Sequence, residues 1–256
     1  MSIRAIASRP KVVLLDFDNT LYEYEPAHEA AMSAVRVKGH QLVGVGSREF
    51  DRLFERARGE VKGRLGAVAS AHSRLLYFQR LIELLGLKTQ PLLTLDLEQT
   101  YWRSFLGKAA LVSGVSEFLD ELQLQGVPKA LVTDLTAQIQ FRKLVYFKLD
   151  ECFDAVVTSE EAGTEKPDPA PFLLALQKLG VGCQPNEVWM IGDSVEKDLE
   201  PAKRHLGATT FLVSHASSVR VAPHAVDGVI RGFEEMTQLV RRLFSGQEPQ
   251  GKVVGA

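Results

Sequence analysis

Five short apolar runs rich in β-branched residues punctuate the chain, at 11–16 (KVVLLD), 129–133 (KALVT), 154–158 (DAVVT), 187–191 (EVWMI) and 209–213 (TTFLV). Each except the first is followed within a few residues by a helix-like segment. A helix between two strands carries the chain back to the edge where it started, so such strands pair in parallel. Continuous apolar character, rather than alternation, means that both faces of the sheet are covered. The expected fold class is therefore α/β, a doubly wound parallel sheet.

Between the first and second runs the texture changes. From about Pro26 to Gly107 only helical patterns occur, in "HEAAMSAVRVKGHQLV", "SREFDRLFERARGEVKGRL", "SRLLYFQRLIELLG" and "LDLEQTYWRSFL". In the third, Leu75, Phe78, Leu81, Ile82 and Leu85 recur at spacings of three and four, which makes one apolar helical face. The expected division is a core of residues 1–24 and 108–245, an all-helical module of residues 25–107, and a flexible tail at 246–256, where Gly, Pro and Gln dominate. Ligands of doubly wound sheets bind at the carboxyl ends of the strands, and the helical module leaves from one such end. It is expected to cover whatever binds there, with hinges near Tyr22–Pro26 and Gly107–Ser113.

The first run ends in "DFDNTL", with Asp16 and Asp18 one residue apart. Two carboxylates ~4 Å apart repel by about 4 kcal/mol at an effective dielectric near 20, so they call for a cation or a shared proton. Asp18-Asn19 could also be a plain turn. Other strand ends bear on that choice. Thr133 closes the second run, Lys166 follows the third in "SEEAGTEKPDPAPF", and Asp193 follows the fourth in "MIGDSVEKDLEPAKRHLGA", with Asp198 on the next turn. Singly, each has an ordinary explanation as a strand threonine, a solvated loop lysine or a helix cap. Together they put acid, hydroxyl, lysine and acid at four successive strand ends, which parallel pairing gathers in one place.

The stretches "DFDNTL", "LVTD", "EKPDP" and "IGDSVEKD" resemble, in order and separation, the four motifs of the haloacid dehalogenase (HAD) superfamily of aspartate-nucleophile hydrolases. The resemblance spans roughly residues 11–213. It implies a Rossmann-like core with a small helical cap inserted between the first two motifs. It further implies that Asp16 is the nucleophile, forming an aspartyl-phosphate, and that Asp18 is general acid and then base, its pKa raised by its neighbour. Mg2+ would be held by Asp16, the main-chain carbonyl of Asp18 and Asp193, with Asp198 supporting the metal site. Thr133 and Lys166 would bind phosphoryl oxygens, helped by the N–H groups of Phe17, Asp18 and Asp134. Halide-displacing relatives lack an acid at the position of Asp18, so its presence points to phosphoryl transfer. Asp134 departs from the family's usual Asn or small residue, and a carboxylate there must pair with a cation or point away from the phosphate.

Within the helical module the candidate substrate contacts are Arg74, His72, Tyr101 and Arg103, with His28 a lesser one. The expected activity is Mg2+-dependent hydrolysis of a small phosphorylated metabolite, a sugar phosphate or nucleoside monophosphate. A phosphomutase, or a protein that only binds phospho-ligands, would share the same core motifs.

Composition narrows the partners. Lys plus Arg number 30 against 32 Asp plus Glu among 256 residues, so there is no basic surplus for a nucleic-acid backbone. No run reaches the ~18 apolar residues of a membrane span, and "MSIRAIASRPK" does not read as a secretory leader. Cys152 and Cys183 lie apart without metal-site spacing and are expected to be reduced thiols in a cytoplasmic protein. The expected partner is a small phosphoester substrate, with the chain a monomer or a homodimer.

Overall fold

The computed structural model describes residues 3, 6, 8–182, 184–215 and 224–245. Cys183 and the expected tail at 246–256 lie outside them. Six parallel strands form one sheet: β1 (Val12–Leu15), β2 (Lys129–Thr133), β3 (Ala155–Thr158), β4 (Val188–Gly192), β5 (Thr209–Val213) and β6 (Gly228–Ile230), in the order β3-β2-β1-β4-β5-β6. The five apolar runs became the first five strands. β6 was not anticipated. It is held at the sheet edge through Asp227, whose carboxylate accepts from Lys203 Nζ at 2.7 Å and from the Thr210 N–H at 2.9 Å.

Between β1 and β2 the chain first builds the helical insert from α1 (Tyr24–Val43), α2 (Ser47–Leu65), α3 (Arg74–Leu84) and α4 (Pro91–Lys108). The remaining helices are α5 (Val115–Leu124), α6 (Ala137–Phe147), α7 (Ser159–Ala162), α8 (Ala170–Leu179), α9 (Glu200–Leu206) and α10 (Glu234–Phe244), with a π-helical turn at Val195–Leu199 ahead of α9. Among the described residues no helix is long and apolar enough to cross a membrane.

The sheet is buried on both faces. Along β1, Val13 and Leu15 join one apolar cluster, while Val12 and Leu14 join another with Val132, Val157, Met190 and Phe172. The first cluster continues into α1–α4, where Phe54 packs against Phe78 with ring centroids 5.5 Å apart and edge-on against Tyr77 at 5.9 Å. The buried face of α3 is Tyr77, Phe78, Leu81 and Ile82. Leu75 points outward instead, which corrects the periodicity reading: Ser73 caps the helix by accepting from the Leu76 N–H, and Tyr77 occupies the inner position. The two connections to the helical insert run side by side, since the Val112 N–H donates to Leu21 O at 2.9 Å and Tyr22 bridges to Leu111.

The order of strands positions the site. From β1 the chain winds outward through β2 and β3, then crosses back to place β4 on the other side of β1. That reversal opens a crevice at the carboxyl ends of β1, β2 and β4, the usual ligand position in such sheets.

Candidate active site

Asp16 follows the last residue of β1, and its own N–H continues the ladder by donating to Ile191 O at 2.9 Å. Its carboxyl is therefore fixed at the strand tip, 5% exposed. Oδ1 accepts from Lys166 Nζ at 2.6 Å and Oδ2 from Thr20 Oγ1 at 2.8 Å. Lys166 is also buried; its ammonium donates to Val132 O at 3.0 Å and to Asp198 Oδ1 at 2.6 Å. One lysine thus ties together the ends of β1 and β2 and the turn after β4.

Asp198 is pinned from both sides, because its Oδ2 accepts from the Ser194 N–H at 3.1 Å. The close approach requires Gly192, where a Cβ would stand 2.6 Å from that oxygen. Asp193 accepts from Asn19 Nδ2 at 2.9 Å. Asp16, Asp193 and Asp198 bring carboxylate oxygens within 4.8 Å of one another. Among the described residues Lys166 alone is ion-paired to these three carboxylates, which leaves two negative charges uncompensated. Burial, reinforced by the neighbouring carboxylates, pushes Asp16 up to about 7 and Asp193 up to about 6. A hard divalent cation matches both the oxygen donor set and the charge deficit.

Asp18 is held differently from the expectation. Burial is the largest single influence and raises its pKa, but the charge and hydrogen bond of Lys143, together with hydrogen bonds from Tyr22 and Gln140, outweigh it and leave the carboxyl below its usual range. Lys143 Nζ donates to Oδ1, the Tyr22 hydroxyl to the same oxygen, and Gln140 Nε2 to Oδ2 at 2.8 Å. The Lys143 ammonium is itself enclosed by the rings of Phe17, Tyr22, Trp102 and Phe105, at 5.6–5.8 Å from each centroid. The expected rise in the Asp18 pKa is therefore reversed: a buried cation from α6 and the hydrogen bonds around it together outweigh desolvation.

Thr133 ends β2 with its hydroxyl accepting from Gln140 Nε2 at 2.6 Å. Asp134 resolves the departure noted above by pairing with a cation: Oδ2 accepts from Lys197 Nζ at 3.1 Å, while Oδ1 accepts from the Lys166 main-chain N–H at 3.1 Å. Phe17 turns its ring into the apolar core, edge-on to Tyr22 at 5.6 Å.

A cavity of about 500 Å³ lies over these groups, walled on the sheet side by Asp16, Asp18, Thr133 and Lys166 and on the other by α1–α3. Of the insert residues singled out in the sequence, Arg74, His72 and His28 line it. Tyr101 lies behind that wall, fully buried, its hydroxyl 2.7 Å from His28 Nδ1. Arg103 is exposed on α4 and is not among the lining residues. Sequence reasoning missed Lys143, Gln140, Arg58, Lys62 and Lys197, of which the last three line the cavity.

A family model for haloacid dehalogenase-like hydrolases matches residues 10–205, and the chain belongs to that family. Within it the chain is a phosphatase by its relatives. It is 36% identical over 241 residues to the ribulose-1,5-bisphosphate 5-phosphatase of Halopiger xanaduensis, covering 89% of this chain and 98% of that one. It is 30% identical over 238 residues to the glyceraldehyde 3-phosphate phosphatase of Methanopyrus kandleri, covering 91% and 98%. Among solved structures, a HAD phosphatase from Thermococcus onnurineus superposes with a TM-score of 0.66 at 25% identity, over 92% of this chain and 98% of that one.

Proposed function

We propose that the protein is a Mg2+-dependent phosphatase that hydrolyses a small phosphorylated metabolite through a phosphoryl group carried on Asp16. The observation that carries this reading is the trio of Asp16, Asp193 and Asp198, two of them buried and one half-buried, short of positive charge and open to a cavity also lined by Thr133, Lys166 and Asp18. The helical insert of α1–α4, residues 25–107, acts as the cap. A sugar phosphate is the favoured class, because the Halopiger and Methanopyrus relatives are named for sugar-phosphate substrates. Cys152 is a free thiol, and neither cysteine has metal-ligand spacing in the sequence, which suits a cytoplasmic setting.

Asp16 Oδ attacks phosphorus while the ester P–O bond breaks, and the departing alkoxide takes a proton from the Asp18 carboxyl. Water then gives a proton to the Asp18 carboxylate as its oxygen attacks the aspartyl-phosphate, which releases phosphate and restores Asp16. In the resting geometry Lys143 keeps Asp18 ionised. Entry of a phosphate dianion beside it favours the protonated form that the first step needs. Thr133 and Lys166 orient the phosphoryl oxygens, with the N–H groups of Phe17, Asp18 and Asp134 available as further donors. Mg2+, held by Asp16, Asp193 and the Asp18 carbonyl, would offset the charge of phosphoryl and carboxylate oxygens. Asp198 acts through Lys166, keeping its ammonium aimed at Asp16.

The test is phosphate release from a panel of metabolite phosphates with and without Mg2+, for the unaltered enzyme and for Asp16→Asn. The account expects metal-dependent release that Asp16→Asn abolishes. Retained turnover in that variant would sink it, and isomerised product without free phosphate would move the reading to a phosphomutase.

A further inference from the structure

We propose that the insert side of the cavity is a second phosphate site, formed by Arg74 and Lys62, so that the substrate carries two phosphates, one cleaved at Asp16 and one held by the helices. This rests on the phosphatase reading and specifies its substrate.

Arg74 is the key observation. Its guanidinium lines the cavity, yet its hydrogen-bond partners are neutral: the His72 carbonyl, 2.8 Å from Nη1, and the Tyr24 hydroxyl, which accepts from Nη2. Its Nε is buried and donates to nothing, and Arg74 has no carboxylate partner among the described residues. The rings of Tyr77, Tyr101 and Trp102 surround it at 5.4, 5.4 and 5.9 Å, which fixes its plane but supplies no negative charge. A buried guanidinium without a counter-ion is costly unless something else provides one.

Lys62, half-buried on α2, faces the same cavity and also has no ion-pair partner among the described residues. The other charges on this wall balance or face water. Arg58 is paired with Glu55 at 3.1 Å, Lys197 with Asp134, and Glu25 is exposed. Among the described residues, Arg74 and Lys62 are the two cations of this wall without a carboxylate in contact; the buried acid Glu165 is paired with His72 at 2.8 Å and reaches Lys62 only through space. A phosphate carries close to two negative charges at neutral pH, whereas a carboxylate carries one, so the match is to a second phosphate. Neighbouring groups register the same positive potential: burial, then Lys62 and Arg74, hold His72 down to about 4, and burial, then Arg74 and Arg58, do the same to His28.

The experiment uses Asp16→Asn protein in Mg2+, and compares by calorimetry the binding of a pentose bisphosphate with that of the corresponding pentose monophosphate. The same pair is compared as substrates of the unaltered enzyme. The proposal expects the bisphosphate to win by about tenfold or more in affinity and in kcat/KM. Lys62→Met should shrink that advantage about tenfold through KM, and Lys62→Arg should restore most of it. Equal binding of the two compounds, or an advantage that neither Lys62→Met nor Arg74→Gln reduces, overturns the second phosphate site, whether or not the enzyme hydrolyses both. A binding advantage in a protein that releases phosphate from no ester overturns the phosphatase reading alone, and leaves the second site standing.

Discussion

Replacing Lys143 with Met removes the ammonium paired with Asp18 while roughly keeping the volume inside the aromatic enclosure. Breaking a buried ion pair from one side commonly destabilises by about 3–5 kcal/mol, because the remaining charge is stranded. Here two features soften the loss. The Asp18 side chain is 24% exposed, and it keeps its hydrogen bonds from Tyr22 and Gln140. The expected loss is therefore about 2–3 kcal/mol at neutral pH, read from urea unfolding with intact cooperativity. It should depend on pH in one direction. Since the folded-state pKa of Asp18 lies below the unfolded value of about 3.9, the unfolded chain takes up the proton first as the solution is acidified. The stabilisation by Lys143 is fully present above about pH 4 and drains away as pH falls through the folded pKa. The difference between Lys143→Met and the unaltered protein should thus narrow on acidification. A loss below about 0.5 kcal/mol at neutral pH, or one that is the same at both ends of the range, would refute the clamp.

Gly192→Ala puts a methyl group 2.6 Å from an Asp198 oxygen, so Asp198 or β4 must shift; overpacking of this kind destabilises by about 1–3 kcal/mol, and turnover should fall further because Lys166 loses its alignment, as activity and melting measured side by side would reveal. His28 and His72, both held at about 4 mainly by burial, should stay neutral through the range where a free histidine near 6.5 titrates. Because the unfolded chain protonates them first, each should subtract stability as pH falls from about 6.5 towards 4, and their assigned ring C–H resonances should not move above about pH 5.5. Resonances that titrate near 6.5 would show that the cavity is less desolvated and less positive than described.

The strands and the motif acids were legible because each is a local signal. An apolar run such as VVLL declares a two-face-buried strand, and acids at its end declare a site once several strand ends carry polar groups. The failures are tertiary. β6 is only Gly228–Ile230 and gains its place through Asp227 reaching β5, which no local pattern announces. On α3 the inward face centres on Tyr77, Phe78, Leu81 and Ile82, so Leu75 falls at the margin of the stripe and is left exposed. Lys143 and Gln140 look like solvated residues in "AQIQFRKLVYF", yet they are buried beside Leu144. A signal existed, since both fall on the same stripe as Ile139, Leu144 and Phe147, and a lysine within an apolar stripe asks for a buried carboxylate. Arg74 and His72 were nominated by type, but only the fold separates them from Arg103, which is exposed on α4 and does not line the cavity.

The central claim is that Asp16 carries the phosphoryl group. Acid quench of the enzyme during turnover of a radiolabelled phosphoester, followed by peptide mapping, tests it most directly. The account predicts label on the peptide containing Asp16, lost in hydroxylamine and absent from Asp16→Asn. Label on another residue, or rapid turnover with none retained and full activity in Asp16→Asn, would contradict it.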